Sequence, residues 1–297
     1  MSQAVELDPG EILAVACRRA GLSAEAVQLL SAGENHVYRL AGGAIARVSK
    51  PGQERAAARE VFLGGWLNAN KVRAVRPYDA LEIDQPVLVD GHPVTFWHDL
   101  GDHRAGTPRE VATALKRLHS LPIPIEMATQ VAPFVRLKER ITAATWLPAD
   151  DRTWLLARLE DLQAGWRDRP GGLPDAVIHG DAWAGNVVSA TEGVTFLDLE
   201  RCTIGPPEWD LTSTACRLTS YSTLSAEDYA DYCEAYGRDV TRWDGFDLFR
   251  DIRELRVTCY AAYRAQHNPS LRSYVATRVG CLRGLNGPRP WHWDPLP

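Results

Sequence analysis

The stretch "VIHGDAWAGNVVSATEGVTFLDLE", Val177 to Glu200, sets three polar side chains, Asp181, Asn186 and Asp198, among apolar residues in a part of the chain that otherwise reads as helix. Its pattern predicts a strand "AVIH", a loop "GDAWAGN", a strand "VVS", a turn "TEG" and a strand "VTFLDL". Asp181 and Asn186 then stand five apart across a loop, and Asp198 ends a strand that the turn folds back beside them. Three oxygen-bearing side chains converge.

The rest of the chain divides around Trp97. Before it, "EILAVACRRAG" has helical spacing and stops at Gly21, and "HVYRL" and "AIARV" predict a hairpin across "AGG". "QERAAAREVFLGGWLNAN" returns to helical spacing despite Gly64-Gly65, and Asp90-Gly91 between "PVLV" and "HPVTFW" is a type I′ turn signal. After Trp97, Thr107-Pro108-Arg109-Glu110 carries a capping box with proline at the first helical position. Helices are predicted from Pro108, over Phe134 to Ala144, over Ala149 to Trp166, and in four segments between Pro207 and about Arg283. The expected fold is α+β and bilobal, a small sheet lobe with one main helix followed by a larger, mainly helical lobe. Its expected bounds are 1–97, a hinge at 98–101, and 102–297.

Composition narrows the function classes. A chain of 297 residues with 45% hydrophobic content can bury a substantial core and split into two lobes. The net charge of -5 argues against a nucleic-acid partner, which calls for a basic patch. Six cysteines without a CxxC pair indicate neither a zinc ribbon nor a disulfide scaffold and read as reduced core residues. The acidic start before the first apolar stretch lacks the pattern of a secretory signal, and no segment reaches about 18 consecutive apolar residues. A soluble, cytoplasmic protein with no membrane partner is expected; oligomeric state is not legible.

Oxygen ligands with open coordination positions suit Mg²⁺, which takes one or two protein groups and completes its shell with waters and substrate phosphates. Phosphoryl transfer needs one carboxylate for the acceptor hydroxyl's proton, and an amide and a second carboxylate for metal. The spacing supplies one candidate for each task, although Asp and Asn also favour plain turns.

"HGDAWAGN", "FLDLE" and "GPPEWDL" together resemble the aminoglycoside phosphotransferase and choline kinase family, which has a protein-kinase-like fold. The resemblance extends loosely over about residues 25 to 285 and is concentrated in His179 to Leu211. It implies that Asp181 is the catalytic base and that Asn186 and Asp198 hold Mg²⁺. His179 is read as an orienter of the loop, and Asp210, at a helix start, as a structural partner of the loop backbone. The implied reaction moves the γ-phosphate of ATP to a hydroxyl of a small molecule, an aminoglycoside or related amino sugar, with possible antibiotic resistance as its consequence. Choline, homoserine, a macrolide or another natural product stands as the alternative acceptor, and a nucleotide-binding pseudokinase as the alternative function.

The same resemblance places the nucleotide in the first lobe. "SAGENHVY" has a single glycine where a phosphate-covering loop is expected, and "AIAR" puts Arg47 where lysine is usual. Only four of the 33 basic residues are lysine, and arginine can bind phosphate with two donors. Glu60, in the following helix, is the expected partner of Arg47, its alternative being a solvated helix charge, and Lys50 is the competing cation. Backbone groups around His98 to Leu100 are placed to bond adenine, His98 itself reading equally as an exposed loop residue. For the acceptor, Trp183 could pack on a sugar or a cation or into a core. Glu200, read two after Asp198 on one strand face, could meet metal-bound water, contact the acceptor or be structural. Asp228, Asp231 and Glu234 form an acidic helix face that suits an amine-rich acceptor or solvent.

Overall fold

The computed structural model describes residues 8–25, 27–33 and 35–293. Its elements in chain order are α1 (Pro9–Arg19), β1 (Gln28–Ala32), β2 (His36–Arg39), β3 (Ala44–Val48), α2 (Glu54–Ala69), β4 (Val87–Val89), β5 (His92–His98), β6 (His103–Ala105) and α3 (Pro108–His119). They continue with α4 (Leu137–Ala143), α5 (Ala149–Arg167), β7 (Ala176–Ile178), β8 (Val187–Ala190), β9 (Gly193–Phe196), β10 (Thr203–Gly205), α6 (Glu208–Thr219), α7 (Ala226–Tyr236), α8 (Phe246–His267) and α9 (Arg272–Leu282). The chain forms two compact units, 1–106 with 184–202, and 107–183 with 203–297. The segment 184–202, expected in the second lobe, therefore groups with the first, and the first unit runs past the expected hinge to Gly106.

The first unit is built on a five-stranded antiparallel sheet of order β1-β2-β3-β5-β4. Strand alternation assigns its two faces. Ala44, Ala46 and Val48 of β3, with Val94 and Phe96 of β5, join Ile12, Leu13, Ala16 and Cys17 of α1 in one buried cluster. The intervening residues Ile45 and Arg47, paired with Trp97 and Thr95, point to the opposite face, where α2 packs. Asp90 (φ 47°) and Gly91 (φ 79°) form the β4–β5 turn with both central residues left-handed, as a type I′ turn requires.

Gly64 lets α2 lie close: a Cβ there would sit 2.7 Å from the Val75 carbonyl oxygen and 3.0 Å from the Trp97 ring. Segment 184–202 is sewn to this unit by backbone bonds. The three-stranded sheet β6-β8-β9 supplies one set. Phe196 supplies another, donating to the Arg73 carbonyl (3.0 Å) and accepting from Val75 N–H (2.9 Å).

In the second unit, α8 runs through a core of Leu155, Leu159, Trp209, Phe249, Ile252 and Leu255. The pair β7–β10 is antiparallel and carries the start of the conspicuous stretch. Thr107 caps α3 with the expected box, its hydroxyl accepting from Glu110 N–H while the Glu110 carboxylate accepts from Thr107 N–H. The helix expected from Phe134 begins only at Leu137, because Arg136 is left-handed (φ 61°). The described part of the proline-rich tail, 287–293, is not helical; it lays Trp291 and Trp293, stacked at 5.1 Å, into a small cluster with Cys281.

All six cysteines are free, and five are buried, Cys233 being the half-buried one. Burial pushes the Cys216 and Cys259 thiols up to about 12, so they stay protonated and behave as core residues. Among the described residues no helix is long and apolar enough to cross a membrane.

Candidate active site

The expected site residues fall into both units, and each unit's share has its own logic. In the second, β7 ends at Ile178 and the chain turns through His179 and Gly180. Gly180 has φ 82°, a conformation glycine adopts without steric cost. That turn aims two consecutive N–H groups at one carboxylate: Asp210, wholly buried in the first turn of α6, accepts from His179 (2.7 Å) and Gly180 (2.8 Å). The same carboxylate meets Nε2 of His119, the last residue of α3, at 3.2 Å. Burial alone would raise the Asp210 carboxyl, but the bond and charge of His119, with His179 and Arg253 nearby, hold it below the usual carboxylate range.

Trp209 closes the turn from the other side, its indole N–H donating to the Gly180 carbonyl (3.0 Å). The Asp181 N–H donates to Nδ1 of the fully buried His179 (3.3 Å). Thus Asp181 leaves a turn whose backbone is fastened on both edges, its own side chain half-buried. Trp183, two residues on, is 52% exposed.

The first unit holds Asn186, Asp198, Glu200, Arg47, Glu60, His98 and Leu100. The extension of β9 through Asp198, and with it the strand-face reading of Glu200, does not hold. The strand stops at Phe196, Asp198 is left-handed (φ 50°, ψ 70°), and Leu199–Arg201 is a single 3-10 turn. A left-handed residue breaks the two-residue alternation, so Asp198 and Glu200 share no strand face. Asp198 is exposed, and the Asn186 carbonyl accepts from Leu197 N–H (2.8 Å), which ties the two ends of the β8–β9 hairpin together. A carboxylate and an amide oxygen are hard donors of the kind Mg²⁺ takes, so the chemistry of the pair fits that ion.

Arg47 projects from β3 between α2 and the Glu200 turn. Its Nη1 bonds the Glu60 carboxylate at 2.5 Å, and its Nη2 lies 3.7 Å from the Glu200 carboxylate. In the amide orientation that these donors require, the Asn35 side-chain oxygen accepts from Nη2 (2.8 Å) and Nε (3.0 Å). Glu60 stands on the buried face of α2 with Ala57, Leu63 and Leu67. Burial raises its carboxyl, Arg47 pulls it down, and the charges of Glu200 and Asp198 raise it again, for a net upward shift. Arg59, one residue before Glu60, donates to the Glu200 backbone carbonyl. Lys50 is exposed, outside this group.

At the strand end, His98 pairs with Asp79 (3.0 Å) and packs against Tyr78, ring centres 4.7 Å apart. Its N–H donates to the Arg76 carbonyl, and that of Asp99 to the Gly43 carbonyl. Both amides are thereby committed within the unit, and Leu100, half-buried in the loop after β5, is the residue of the three whose amide meets no such carbonyl among the described residues.

Asn35, Arg59 and His119 are the partners that sequence reading missed. Asn35 had a usable signal, lying in the loop expected over the phosphates. His119 had none, since its partner lies 91 residues on.

Residues 25–249 match the phosphotransferase enzyme family. The chain belongs to that family. As a phosphotransferase it shares the α+β kinase-like fold with solved structures of low sequence identity. An amicoumacin kinase in complex with AMP-PNP, Ca²⁺ and Ami aligns at a TM-score of 0.70 and 13% identity, covering 94% of this chain and 93% of that one. A microcompartment-associated aminopropanol kinase aligns at 0.69 and 16%, covering 92% and 96%. An aminoglycoside phosphotransferase from Streptomyces rimosus aligns at 0.61 and 19%, covering 82% and 96%. No curated protein matches in sequence. The phosphotransferase family and these neighbours are small-molecule kinases.

Proposed function

We propose that this phosphotransferase moves the γ-phosphate of ATP, with Mg²⁺, to a hydroxyl of an aminoglycoside or related amino sugar in the cytoplasm. What carries the reading is the family motif from His179 to Leu211, with Asp181 issuing from a turn whose amides the buried Asp210 holds. Asp181 serves as the base. The acceptor oxygen bonds to the γ-phosphorus as the bond to the β,γ-bridging oxygen breaks, ADP leaves, and the hydroxyl proton passes to the Asp181 carboxylate. Mg²⁺, when bound by Asn186 and Asp198, supplies charge neutralisation at the phosphate oxygens.

Arg47, held by Glu60, is the residue we assign to the phosphates, and the Leu100 amide is the donor we assign to adenine, beside His98. We assign Trp183 to the acceptor, because its exposed ring offers a face to a sugar or a cation. The amino-sugar class rests on the family resemblance; neighbours solved with streptomycin and spectinomycin carry the same suggestion. The acidic face of α7 adds nothing to it, because Arg109 already pairs with both Asp231 and Glu234. ATP turnover measured over a panel of amino sugars, choline, homoserine and a macrolide tests the proposal. Stimulation by an amino sugar supports it, stimulation by another alcohol moves the acceptor class, and ATP binding without turnover on any of them favours the pseudokinase.

A further inference from the structure

The arrangement around Arg47 is more crowded than a cation waiting for phosphate needs. A guanidinium has five N–H donors in a fixed fork, and it grips phosphate best through two parallel bonds from one edge. Asn35 takes the edge formed by Nε and one Nη2 hydrogen. Glu60 takes Nη1. The remaining Nη2 hydrogen lies on the end-on edge shared with Nη1, and the group facing Nη2 there is the Glu200 carboxylate, at 3.7 Å.

Glu200 is fixed in place independently of that contact. Its backbone carbonyl accepts from Arg59 of α2, and its 3-10 turn follows the left-handed Asp198. The Glu200 side chain is 44% exposed, whereas those of Arg47 and Glu60 are 18% and 6% exposed. Glu60 is thus the permanent partner, buried with the arginine, and Glu200 approaches from the solvent side.

We propose that Glu200 is an intramolecular competitor for Arg47: in the nucleotide-free protein its carboxylate occupies the guanidinium edge that phosphate takes, so nucleotide binds by displacing it. This rests on the reading of Arg47 as the phosphate cation. The contact is long and partly exposed, and such pairs are worth little, so its removal changes affinity by a factor of about two to five.

The test is calorimetric titration of metal-free ADP, in EDTA at low ionic strength, into the wild-type chain, Glu200→Gln and Glu200→Ala. Both substitutions keep the backbone carbonyl that Arg59 holds. Tighter metal-free ADP binding in both, by about two- to fivefold and shrinking as salt is added, is the expected result. Unchanged or weaker binding in both overturns the competitor role, as does a gain that appears only with Mg²⁺. Titrations of Mg·ADP into wild type and Arg47→Ala separate the two levels. If wild type binds Mg·ADP and Arg47→Ala binds it less well, a failed Glu200 result counts against the competitor alone. If Arg47→Ala binds as wild type does, the phosphate reading of Arg47 itself fails.

Discussion

Asp210 accepts the backbone N–H groups of both His179 and Gly180, at 2.7 and 2.8 Å, from a position with no exposure to solvent. A carboxylate that takes two consecutive amides fixes the peptide between them, and Asp181 is the next residue along. Asp210 thereby acts on the candidate base through the backbone.

Asp210→Asn should therefore cost both stability and turnover. It replaces one of the two accepting oxygens by a donor that faces an N–H, and it leaves His119 without its charge partner. The expected loss is about 2–4 kcal/mol, the range for breaking a buried charged hydrogen-bonded pair. A pH signature separates this from ordinary core damage. The Asp210 carboxyl is held low in the folded state, so its contribution is complete above the unfolded value of about 3.9 and is lost as pH falls toward the folded value. Urea midpoints from pH 6 downward should fall less steeply below about pH 4 in the variant than in wild type; parallel curves would argue against the assignment.

Asp181→Asn keeps the shape of the side chain and removes the proton acceptor. Turnover should fall by about 10²-fold or more while Mg·ATP affinity stays near wild type. Single-turnover kinetics beside equilibrium binding measures both, and wild-type turnover would take Asp181 out of the mechanism.

For the metal residues, backbone conformation dictates the choice of variant. Asp198 is left-handed, which Asn tolerates and Ala tolerates poorly, so Asp198→Asn removes the charge without adding strain. Asp198→Asn should weaken Mg·ATP binding more than Asn186→Ala does, because a carboxylate gives the ion formal charge and an amide only a dipole. Equal or reversed effects in a Mg²⁺ titration at fixed nucleotide would reassign the pair.

How far these residues were readable in the chain depended on how local their determinants are. Thr107-Pro108-Arg109-Glu110 and Asp90-Gly91 fix their own backbone, and both the capping box and the hairpin are where the pattern puts them. Glu60 was legible only through the family resemblance, which calls for a helix glutamate to hold the phosphate cation; its burial on α2 shows only in the structure. Asp198 and Glu200 were misread as strand because "VTFLDLE" alternates well enough. The left-handed turn at Asp198 answers to a hairpin closed by Asn186 and to Arg59 on a distant helix, neither of which alternation records. The same holds for β6 and β10, three residues each, too short to show a period and set by their pairing with β8 and β7.

The Arg47–Glu60 pair makes a quantitative claim. Arg47→Ala and Glu60→Ala should each weaken ADP binding, and the double variant should cost less than the sum, since residues sharing one ion pair are not additive. Lys50→Ala, on an exposed residue outside the group, should be nearly silent. Additive losses from Arg47 and Glu60, or a damaging Lys50→Ala, would move the phosphate ligand elsewhere.

The adjacent glycines of α2 should separate cleanly. In an open helix position glycine is worse than alanine by about 1 kcal/mol, so Gly65→Ala, whose Cβ would have no neighbour within 4 Å, should stabilise the protein by about 0.5–1 kcal/mol. Gly64→Ala gains the same backbone term, but its Cβ would sit 2.7 Å from the Val75 carbonyl oxygen and 3.0 Å from Trp97. Backbone and a packed indole cannot give way cheaply, and overpacking of this kind costs about 1–3 kcal/mol. Thermal melts should therefore move in opposite directions, up for Gly65→Ala and down for Gly64→Ala. The Gly64 variant should also weaken ADP binding: pushing α2 off the sheet lengthens the Arg47–Glu60 contact, which joins strand to helix four residues away. A Gly64→Ala protein as stable as Gly65→Ala would show that α2 is not seated on Trp97 as described.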